Sequence, residues 1–152
     1  MADMIAYMAF LSRRIPNGAV MEGQGFAQLT PLVSDTAQGR RVFADRCVKC
    51  HGRDGLGTED GPPLWGPKSY GIGAGMARVR TAAAFIYRNM PDDKPRTLTP
   101  QQAFDVAAYV NSKPRPDFAG KENDWPNGDH PPDVPYETRA ARAKADSARR
   151  GT

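Results

Sequence analysis

The sequence predicts an all-α fold, on the evidence of its helix starts and of the helical spacing of its apolar residues. Asp35, with Gln38 three residues later, has the pattern of a capping box at the start of a helix. Thr99, followed by Pro100 and then Gln102, has the same pattern at a second helix start. No βαβ pattern is found along the sequence, so we expect helices packed around a small core.

The first predicted helix covers residues 3–13. Its apolar residues recur at steps of three and four, namely Met4, Ile5, Met8 and Leu11. Residues 15–28 are interrupted by proline and glycine, so we expect a connector there. We interpret residues 1–28 as a helix and linker, either packed on the same domain or remaining from a preceding domain.

The second predicted helix begins at Asp35 and opens the central domain, residues 29–116. Four residues share one side of this helix, namely Gly39, Phe43, Cys47 and Cys50. The glycine lets another helix approach closely, and the phenylalanine fills the contact. The two thiols are then expected to point in one direction.

The run Cys-x-x-Cys-His at residues 47–51 predicts one covalently bound haem. Cys47 and Cys50 form the two thioether bonds to the porphyrin in this interpretation, and His51 binds the iron from the near side. A thiol redox pair is one alternative, but such pairs usually accompany a βαβ pattern. Structural zinc is another, but it needs four ligands, and His130 is the only other histidine. We therefore interpret the protein as a c-type cytochrome with haem c as its cofactor and identify no separate catalytic residue.

The run rich in glycine and proline after His51 is predicted to be a loop. A metal-bound histidine usually donates its second ring N–H to a carbonyl, and we expect Pro62 or Pro63 to supply the acceptor. Leu64 is expected to lie against the porphyrin. Trp65 has two interpretations, a hydrogen bond to a haem propionate or packing in the core.

Met90 is the candidate for the second iron ligand. It lies in a turn fixed by Pro91, after a predicted helix at residues 82–88, and this placement lets the chain pass around the haem edge. A methionine opposite a histidine raises the reduction potential and leaves no open position on the iron, which suits electron transfer. Met76 and then His130 are the alternatives.

Two arginines stand before the helix at residues 82–88, which we expect Thr81 to cap. They are Arg78 and Arg80, and a guanidinium matches the carboxylate of a propionate through two hydrogen bonds. Both are also consistent with solvated surface positions. The sequence therefore leaves propionate binding and surface exposure open for this pair.

The segment that follows the central domain, residues 117–152, is predicted to be an irregular, proline-rich extension with a basic tail. Phe118 and Trp125 are expected to hold it on the domain surface. From residue 138 onward the tail is rich in alanine and arginine, so we expect a frayed helix or disorder there.

The net charge and the apolar N-terminal run indicate which kinds of partner and which cellular location to expect. The formal net charge is +4, but no basic patch is interleaved with aromatic residues, so we predict a redox protein partner and no nucleic acid. The N-terminal apolar run is too short to span a membrane, and it lacks the charged front of a secretory leader. Covalent haem attachment nonetheless implies a periplasmic protein, so we interpret the chain as a processed or truncated piece of a longer one.

Five groups of residues carry a resemblance to a known family. They are Gly39-x3-Phe43-x3-Cys47-x2-Cys50-His51-Gly52, the loop Pro62-Pro63-Leu64-Trp65-Gly66, the run Gly73-Ala74-Gly75-Met76, the turn Asn89-Met90-Pro91, and residues 105–111 leading into Arg115-Pro116. Up to about Tyr136, the chain resembles the C-terminal haem domain of the dihaem thiosulfate dehydrogenases. The haem motif is shared by class I c-type cytochromes in general, whereas the loop and the turn point to this family.

The resemblance implies a class I cytochrome c fold and an oxidoreductase context. In that family, two such domains couple two thiosulfates into tetrathionate. Chemistry is assigned to the N-terminal haem, whose iron has a cysteine ligand, and the C-terminal haem passes electrons onward. The resemblance implies His51 and Met90 as iron ligands here, with Asn89 where some members have a lysine.

The chain departs from the family because it has one Cys-x-x-Cys-His run and no third cysteine. Our leading hypothesis is therefore a one-haem electron-transfer domain in thiosulfate or sulfur-compound oxidation. Its partner would be a redox protein, with a second cytochrome domain as one candidate. The alternatives are thiosulfate dehydrogenase activity, by the chain itself or with a partner haem domain, and a structural haem subunit of a larger assembly.

Overall fold

The structure, a computed structural model, describes residues 2–16 and 26–150. Helices are the only regular elements in these two ranges, and no strand is present there. The helices are α1 (Ala2–Ser12), α2 (Thr36–Arg46), α3 (Val48–His51), α4 (Val79–Asn89), α5 (Pro100–Asn111) and α6 (Arg139–Arg150), with short 3-10 helices at Gly75–Ala77 and Lys121–Asn123. The all-α prediction is confirmed.

Helices α2 and α5 cross at Gly39. A Cβ atom on this glycine would lie 2.0 Å from the carbonyl oxygen of Asp105, so only a glycine permits this close approach. Beside the crossing, Phe43 packs with Val106 and Val110, and all three side chains are buried. Gly39 and Phe43 thus have the positions that the sequence predicts for them.

Helix α4 packs against α5 through small side chains. Ala82, Ala83 and Ala107 are buried together with the ring of Phe104. Alanine lets the two helix backbones approach closely, and the aromatic ring fills the remaining space. Helices α2, α4 and α5 therefore form the body of the domain, and the loops are arranged around it.

The starts of α2 and α5 are capped in different ways. Asp35 Oδ1 accepts a hydrogen bond from the backbone N–H of Gln38 at 3.2 Å. The second half of the predicted capping box is missing, because the backbone N–H of Asp35 donates to Asp105 Oδ1 at 2.8 Å instead of to Gln38. At α5, the capping box between Thr99 and Gln102 is complete.

Two predicted helix boundaries differ from the structure. The helix that we expected to continue to Cys50 is interrupted at Cys47, whose φ of −115° lies outside the helical range, so α2 ends and the one-turn helix α3 begins. Thr81 is not a cap. Helix α4 starts at Val79 because the extended backbone of Arg78 supplies the N-cap position.

The segment that leads into the domain runs along α4. The backbone N–H of Ala27 donates to the carbonyl oxygen of Ala84 at 3.2 Å. The rings of Phe26 and Phe85 are in contact, with their centroids 6.1 Å apart. This segment is therefore attached to α4 by a backbone hydrogen bond and by a ring contact.

Helix α1 forms where the sequence predicts it, but its apolar side chains are exposed. Met4 is 71% exposed and Met8 is 66% exposed, so this face adds no core to the domain. Among the described residues, no helix is both long and apolar enough to cross a membrane.

The C-terminal extension is held on the domain by aromatic residues. Tyr136 contacts the rings of Phe118 and Trp125, with centroids 6.3 Å and 6.0 Å away, and its hydroxyl donates to Asp124 Oδ2 at 2.7 Å. The ring of Phe118 also covers Gly73 in the glycine-rich loop. The extension ends in the regular helix α6, which is more ordered than we predicted because alanine and arginine both favour helix.

Candidate haem-binding site

The two thiols lie within one helical turn. Cys47 occupies the break between α2 and α3, and its carbonyl oxygen accepts from the backbone N–H of Cys50 at 3.2 Å and of His51 at 2.9 Å. Both cysteines are free and half-buried. Burial, followed by the charges of Cys50 and Asp45, raises the pKa of the Cys47 thiol to about 11. The thiol is therefore protonated at neutral pH.

His51 has a fixed orientation. Its Nδ1 lies 2.8 Å from the carbonyl oxygen of Pro62, and a carbonyl can only accept, so Nδ1 carries the proton. The other ring nitrogen, Nε2, is then the one that can bind a metal ion. Of the two prolines that the sequence offered, Pro62 supplies the acceptor, and Pro63 does not.

The loop after His51 depends on close contacts that only glycine allows. Gly52 ends α3 with a φ of 79°, a conformation in the left-handed region. A Cβ atom on Gly55 would lie 2.1 Å from the ring of Trp65, and the carbonyl oxygen of Gly55 accepts from the backbone N–H of Leu64 at 2.8 Å. These contacts set the path of the chain that brings Pro62 to the histidine.

Trp65 packs in an aromatic cluster. Its ring centroid is 5.0 Å from that of Phe43 and 6.0 Å from that of Tyr109. These contacts agree with the interpretation that Trp65 packs in the core. The alternative, a hydrogen bond from Trp65 to a propionate, stays a prediction. Leu64 is half-buried against the cluster around Phe43, to which Cys47 also belongs. Its contact with a porphyrin likewise stays a prediction.

The three candidates for the second iron ligand have different surroundings. Met90 is half-buried at the end of α4, where its backbone N–H donates to the carbonyl oxygen of Ile86 at 2.9 Å. Met76 packs against the core cluster around Phe104, which explains it as a core residue. His130 lies in the extension, with Nδ1 3.0 Å from the carbonyl oxygen of Pro131. Of the two methionines, Met90 is therefore the one that core packing does not account for.

The two arginines that we predicted as propionate ligands lie beside the extension. Arg80 is exposed, and its backbone N–H donates to Asp133 Oδ2 at 2.9 Å. Arg78 is half-buried and lines a cavity of about 230 Å³, together with Trp125 and Tyr136. Neither contact identifies a propionate, so both roles stay predictions.

A third arginine, which sequence reasoning did not assign to the site, is held in place. The guanidinium of Arg115 lies 4.4 Å from the ring centroid of Tyr70, and its Nη2 donates to the carbonyl oxygen of Val110 at 2.8 Å. Its Nη1 is buried and has no hydrogen-bond partner. The sequence signals for it were its position shortly after α5 and its place in the Arg115-Pro116 pair that contributes to the family resemblance.

The residues present fit haem c. Two thiols in one turn match the two thioether positions, and the imidazole keeps Nε2 available. A buried guanidinium nitrogen without an acceptor matches a group that carries carboxylates. Within the described residues, no group of three or more His, Cys, Asp or Glu side chains could hold a metal ion, so the zinc alternative lacks ligands there.

Comparisons with known proteins agree with this fit. Residues 34–110 match the family described as cytochrome C oxidase, cbb3-type, subunit III. A thiosulfate dehydrogenase from Psychrobacter arcticus is 44% identical over 141 residues, which cover 88% of this chain and 43% of that protein. A thiosulfate dehydrogenase from Allochromatium vinosum is 46% identical over 123 residues, which cover 76% of this chain and 46% of that protein.

A solved structure is similar as well. The "as isolated" form of thiosulfate dehydrogenase (TsdBA) from Marichromatium purpuratum has a TM-score of 0.68 and 38% identity, covering 88% of this chain and 31% of that chain. The chain thus spans less than half the length of each of these relatives. The family match includes both thiols, His51 and Met90. The chain therefore belongs to the cytochrome c family described as cytochrome C oxidase, cbb3-type, subunit III, has the class I cytochrome c fold, and carries the Cys-x-x-Cys-His motif by which that family binds haem c.

Proposed function

We propose that this chain is a one-haem electron carrier in thiosulfate oxidation. The observation that carries the proposal is the hydrogen bond from His51 Nδ1 to the carbonyl oxygen of Pro62, next to two thiols in the same turn. This bond fixes the tautomer and aims Nε2 away from the loop. A side chain held in this way is suited to remain an iron ligand in both oxidation states.

Each residue of the site has a defined task in the proposal. Cys47 and Cys50 would hold the haem through thioether bonds, and His51 Nε2 and the Met90 thioether would bind its iron. The bound haem supplies a one-electron couple between ferric and ferrous iron. Two side-chain ligands would leave no position on the iron for a substrate, so the site would favour electron transfer.

The sulfur chemistry of the proposal comes from the relatives. The proteins from Psychrobacter arcticus and Allochromatium vinosum are named thiosulfate dehydrogenase, and this chain matches less than half of each. We propose that electrons reach this domain from a second haem domain that oxidises thiosulfate, and then leave for another redox protein. We further propose that this exchange takes place in the periplasm, since covalent haem attachment implies maturation outside the cytoplasm.

A second candidate function is thiosulfate oxidation by this chain alone. The observation in its favour is the cavity of about 230 Å³ that Arg78 lines, since a guanidinium binds sulfur oxyanions. A third candidate, a structural haem subunit, is favoured by the exposed apolar side chains of α1. The second candidate is weaker than electron transfer, because an iron with two side-chain ligands would offer no substrate site. The third is weaker because its support is limited to the exposed face of α1.

The test uses the full chain after haem attachment. Absorption spectra are recorded for the ferric protein alone, then with thiosulfate, and then with ascorbate, and tetrathionate is measured in parallel. Reduction by ascorbate but not by thiosulfate is the expected result for a carrier. Rapid reduction by thiosulfate with tetrathionate formation supports the second candidate, and Arg78→Gln is the variant that should then abolish it. A haem that neither reagent reduces contradicts the carrier role.

A further inference from the structure

Arg115 lies in a segment that is fixed on both sides. The carbonyl oxygen of Pro114 accepts from the backbone N–H of Gly66 at 2.8 Å, and that of Pro116 accepts from the backbone N–H of Ile72 at 2.9 Å. These two hydrogen bonds attach the segment to the loop that follows the haem motif. The backbone of Arg115 therefore has little freedom to reorient its side chain.

The guanidinium itself is also oriented. Nη2 donates to the carbonyl oxygen of Val110, in the last turn of α5, and the group stacks over the ring of Tyr70. The hydroxyl of Tyr70 in turn donates to Asn111 Oδ1 at 2.8 Å, and Asn111 Nδ2 donates to the carbonyl oxygen of Met76 at 3.0 Å. The plane of the guanidinium is thus set by a ring on one side and by a helix end on another.

One nitrogen of this group lacks an acceptor. Nη1 of Arg115 is buried without a hydrogen-bond partner, and no carboxylate among the described residues forms an ion pair with Arg115. A guanidinium stays charged in proteins, and a buried charged donor without an acceptor is costly. Such a group in an otherwise well-packed structure indicates an acceptor from outside the polypeptide.

The surroundings indicate where that acceptor comes from. Val110, whose carbonyl oxygen holds Nη2, belongs to the buried cluster that also contacts Cys47 and Leu64. A haem attached at Cys47 would therefore lie beside the same cluster. A haem carries two propionate carboxylates, which match the charge and the hydrogen-bonding geometry of an arginine.

We propose that Nη1 of Arg115 donates a hydrogen bond to a propionate of haem c, so that Arg115 is a haem-positioning residue. This inference rests on the proposed function only in taking haem c as the bound cofactor. It assigns a propionate contact to a residue other than the two predicted arginines. Arg78 lines a surface cavity, and Arg80 is exposed. The same nitrogen could also bind a free sulfur oxyanion, and the experiment separates the two sources.

The test compares variants of the full, haem-loaded chain. Arg115→Gln removes the charge, and Arg115→Lys keeps the charge but removes the planar group. Arg40→Gln is the control at an exposed arginine to which no haem contact is assigned. The readouts are the reduction potential and the propionate bending bands in resonance Raman spectra. Both are measured without thiosulfate or a redox partner, so a failure of the proposed electron-transfer role does not alter them.

We expect Arg115→Gln to shift the propionate bands and to lower the reduction potential, because an uncompensated carboxylate stabilises ferric iron. Arg115→Lys should restore part of the potential but not the position of the bands, and Arg40→Gln should leave both unchanged. If Arg115→Gln does not fold, Arg115→Lys is the test. Shifted propionate bands in that variant support the proposal, and unchanged bands contradict it.

Two results overturn the proposal. One is a loss of thermal stability in the Arg115 variants with unchanged bands and potential, which makes Arg115 a purely structural residue. The other result has three parts. Added sulfate changes the reduction potential of the unsubstituted protein, Arg115→Gln abolishes this response, and the propionate bands of Arg115→Gln do not shift. That result means that Nη1 of Arg115 binds a free oxyanion and not a propionate.

Discussion

Lys49 Nζ lies 3.1 Å from Asp93 Oδ2, and this ion pair joins the haem-attachment turn to the loop that follows Met90. The hydrogen bond between the two side chains raises the pKa of Lys49 and lowers the pKa of Asp93. Both side chains are largely exposed, so the pair adds little to global stability. Its importance is local, because it connects the segment that carries the thioether bonds with the segment that carries the proposed methionine ligand.

Replacing Asp93 by asparagine is expected to loosen the Met90 loop. Imidazole should then bind ferric iron faster, because the methionine leaves the iron more often, while the unfolding midpoint in urea stays nearly unchanged. Stopped-flow mixing with imidazole measures this rate. Asp92→Asn is the matched control, since Asp92 is exposed in the same loop. Equal binding rates in the two variants contradict the role of the ion pair.

Replacing Met90 by alanine is expected to lower the reduction potential and to open the iron to external ligands. The physical reason is that a thioether opposite an imidazole favours ferrous iron. Potentiometric titration and imidazole binding measure both effects. Met76→Leu is the control, because Met76 packs against the core and leucine has a similar volume. An unchanged spectrum in Met90→Ala removes Met90 from the ligand set.

Replacing Gly39 by alanine is expected to destabilise the domain by about 1–3 kcal/mol, because the new methyl group would overlap the carbonyl group of Asp105. Urea unfolding of the haem-loaded protein measures the change. Gly75→Ala is the control, since a Cβ atom there has its nearest neighbour at 3.6 Å, and we expect a change within about 0.5 kcal/mol. Similar losses in both variants contradict the close crossing of α2 and α5.

The contact of Tyr136 with the domain is expected to weaken at high pH. Desolvation, followed by the hydrogen bond to Asp124 and the charge of Asp117, raises the pKa of Tyr136 to about 12, against about 10 for an unperturbed tyrosine. Lys121 also faces the ring, at 5.8 Å from its centroid. Because the folded state holds the phenol proton more tightly, the contribution is complete below pH about 10 and is lost as the pH rises towards 12.

The comparison with Tyr136→Phe measures this contribution, since the variant keeps the ring contacts and loses only the hydroxyl. We expect its free energy of unfolding to be lower by about 1 kcal/mol at neutral pH. The difference from the unsubstituted protein should shrink between pH 10 and pH 12. A difference that stays constant over this interval contradicts the assignment.

Features set by short stretches of sequence could be predicted. The Cys-x-x-Cys-His run, the capping box at Thr99 and the carbonyl acceptor for His51 each depend on residues that are close together in the chain. Backbone propensities and hydrogen-bonding rules act over such distances. They therefore sufficed for the starts of α2 and α5 and for narrowing the acceptor of His51 to two neighbouring prolines, of which the structure selects Pro62.

Features set by distant residues could not be predicted. The N–H of Asp35 bonds to Asp105, and Lys49 pairs with Asp93, only because the folded chain brings these groups together. Arginine is most often found on protein surfaces. The buried position of Arg115 Nη1 depends on the loop from Gly66 to Ile72, which is hydrogen-bonded to the segment on both sides of Arg115. Such contacts need the three-dimensional path of the chain, which local patterns do not contain.

The attachment of the entry segment to α4 has a mechanical consequence. The hydrogen bond from Ala27 to Ala84 and the contact of Phe26 with Phe85 link that segment to the helix whose last residue precedes Met90. A pull on the chain ahead of residue 26 therefore acts on α4 before it acts on α2 or α5. Tension applied from that side is transmitted along the helix axis towards Met90, so a bond between iron and this proposed ligand would be sensitive to force.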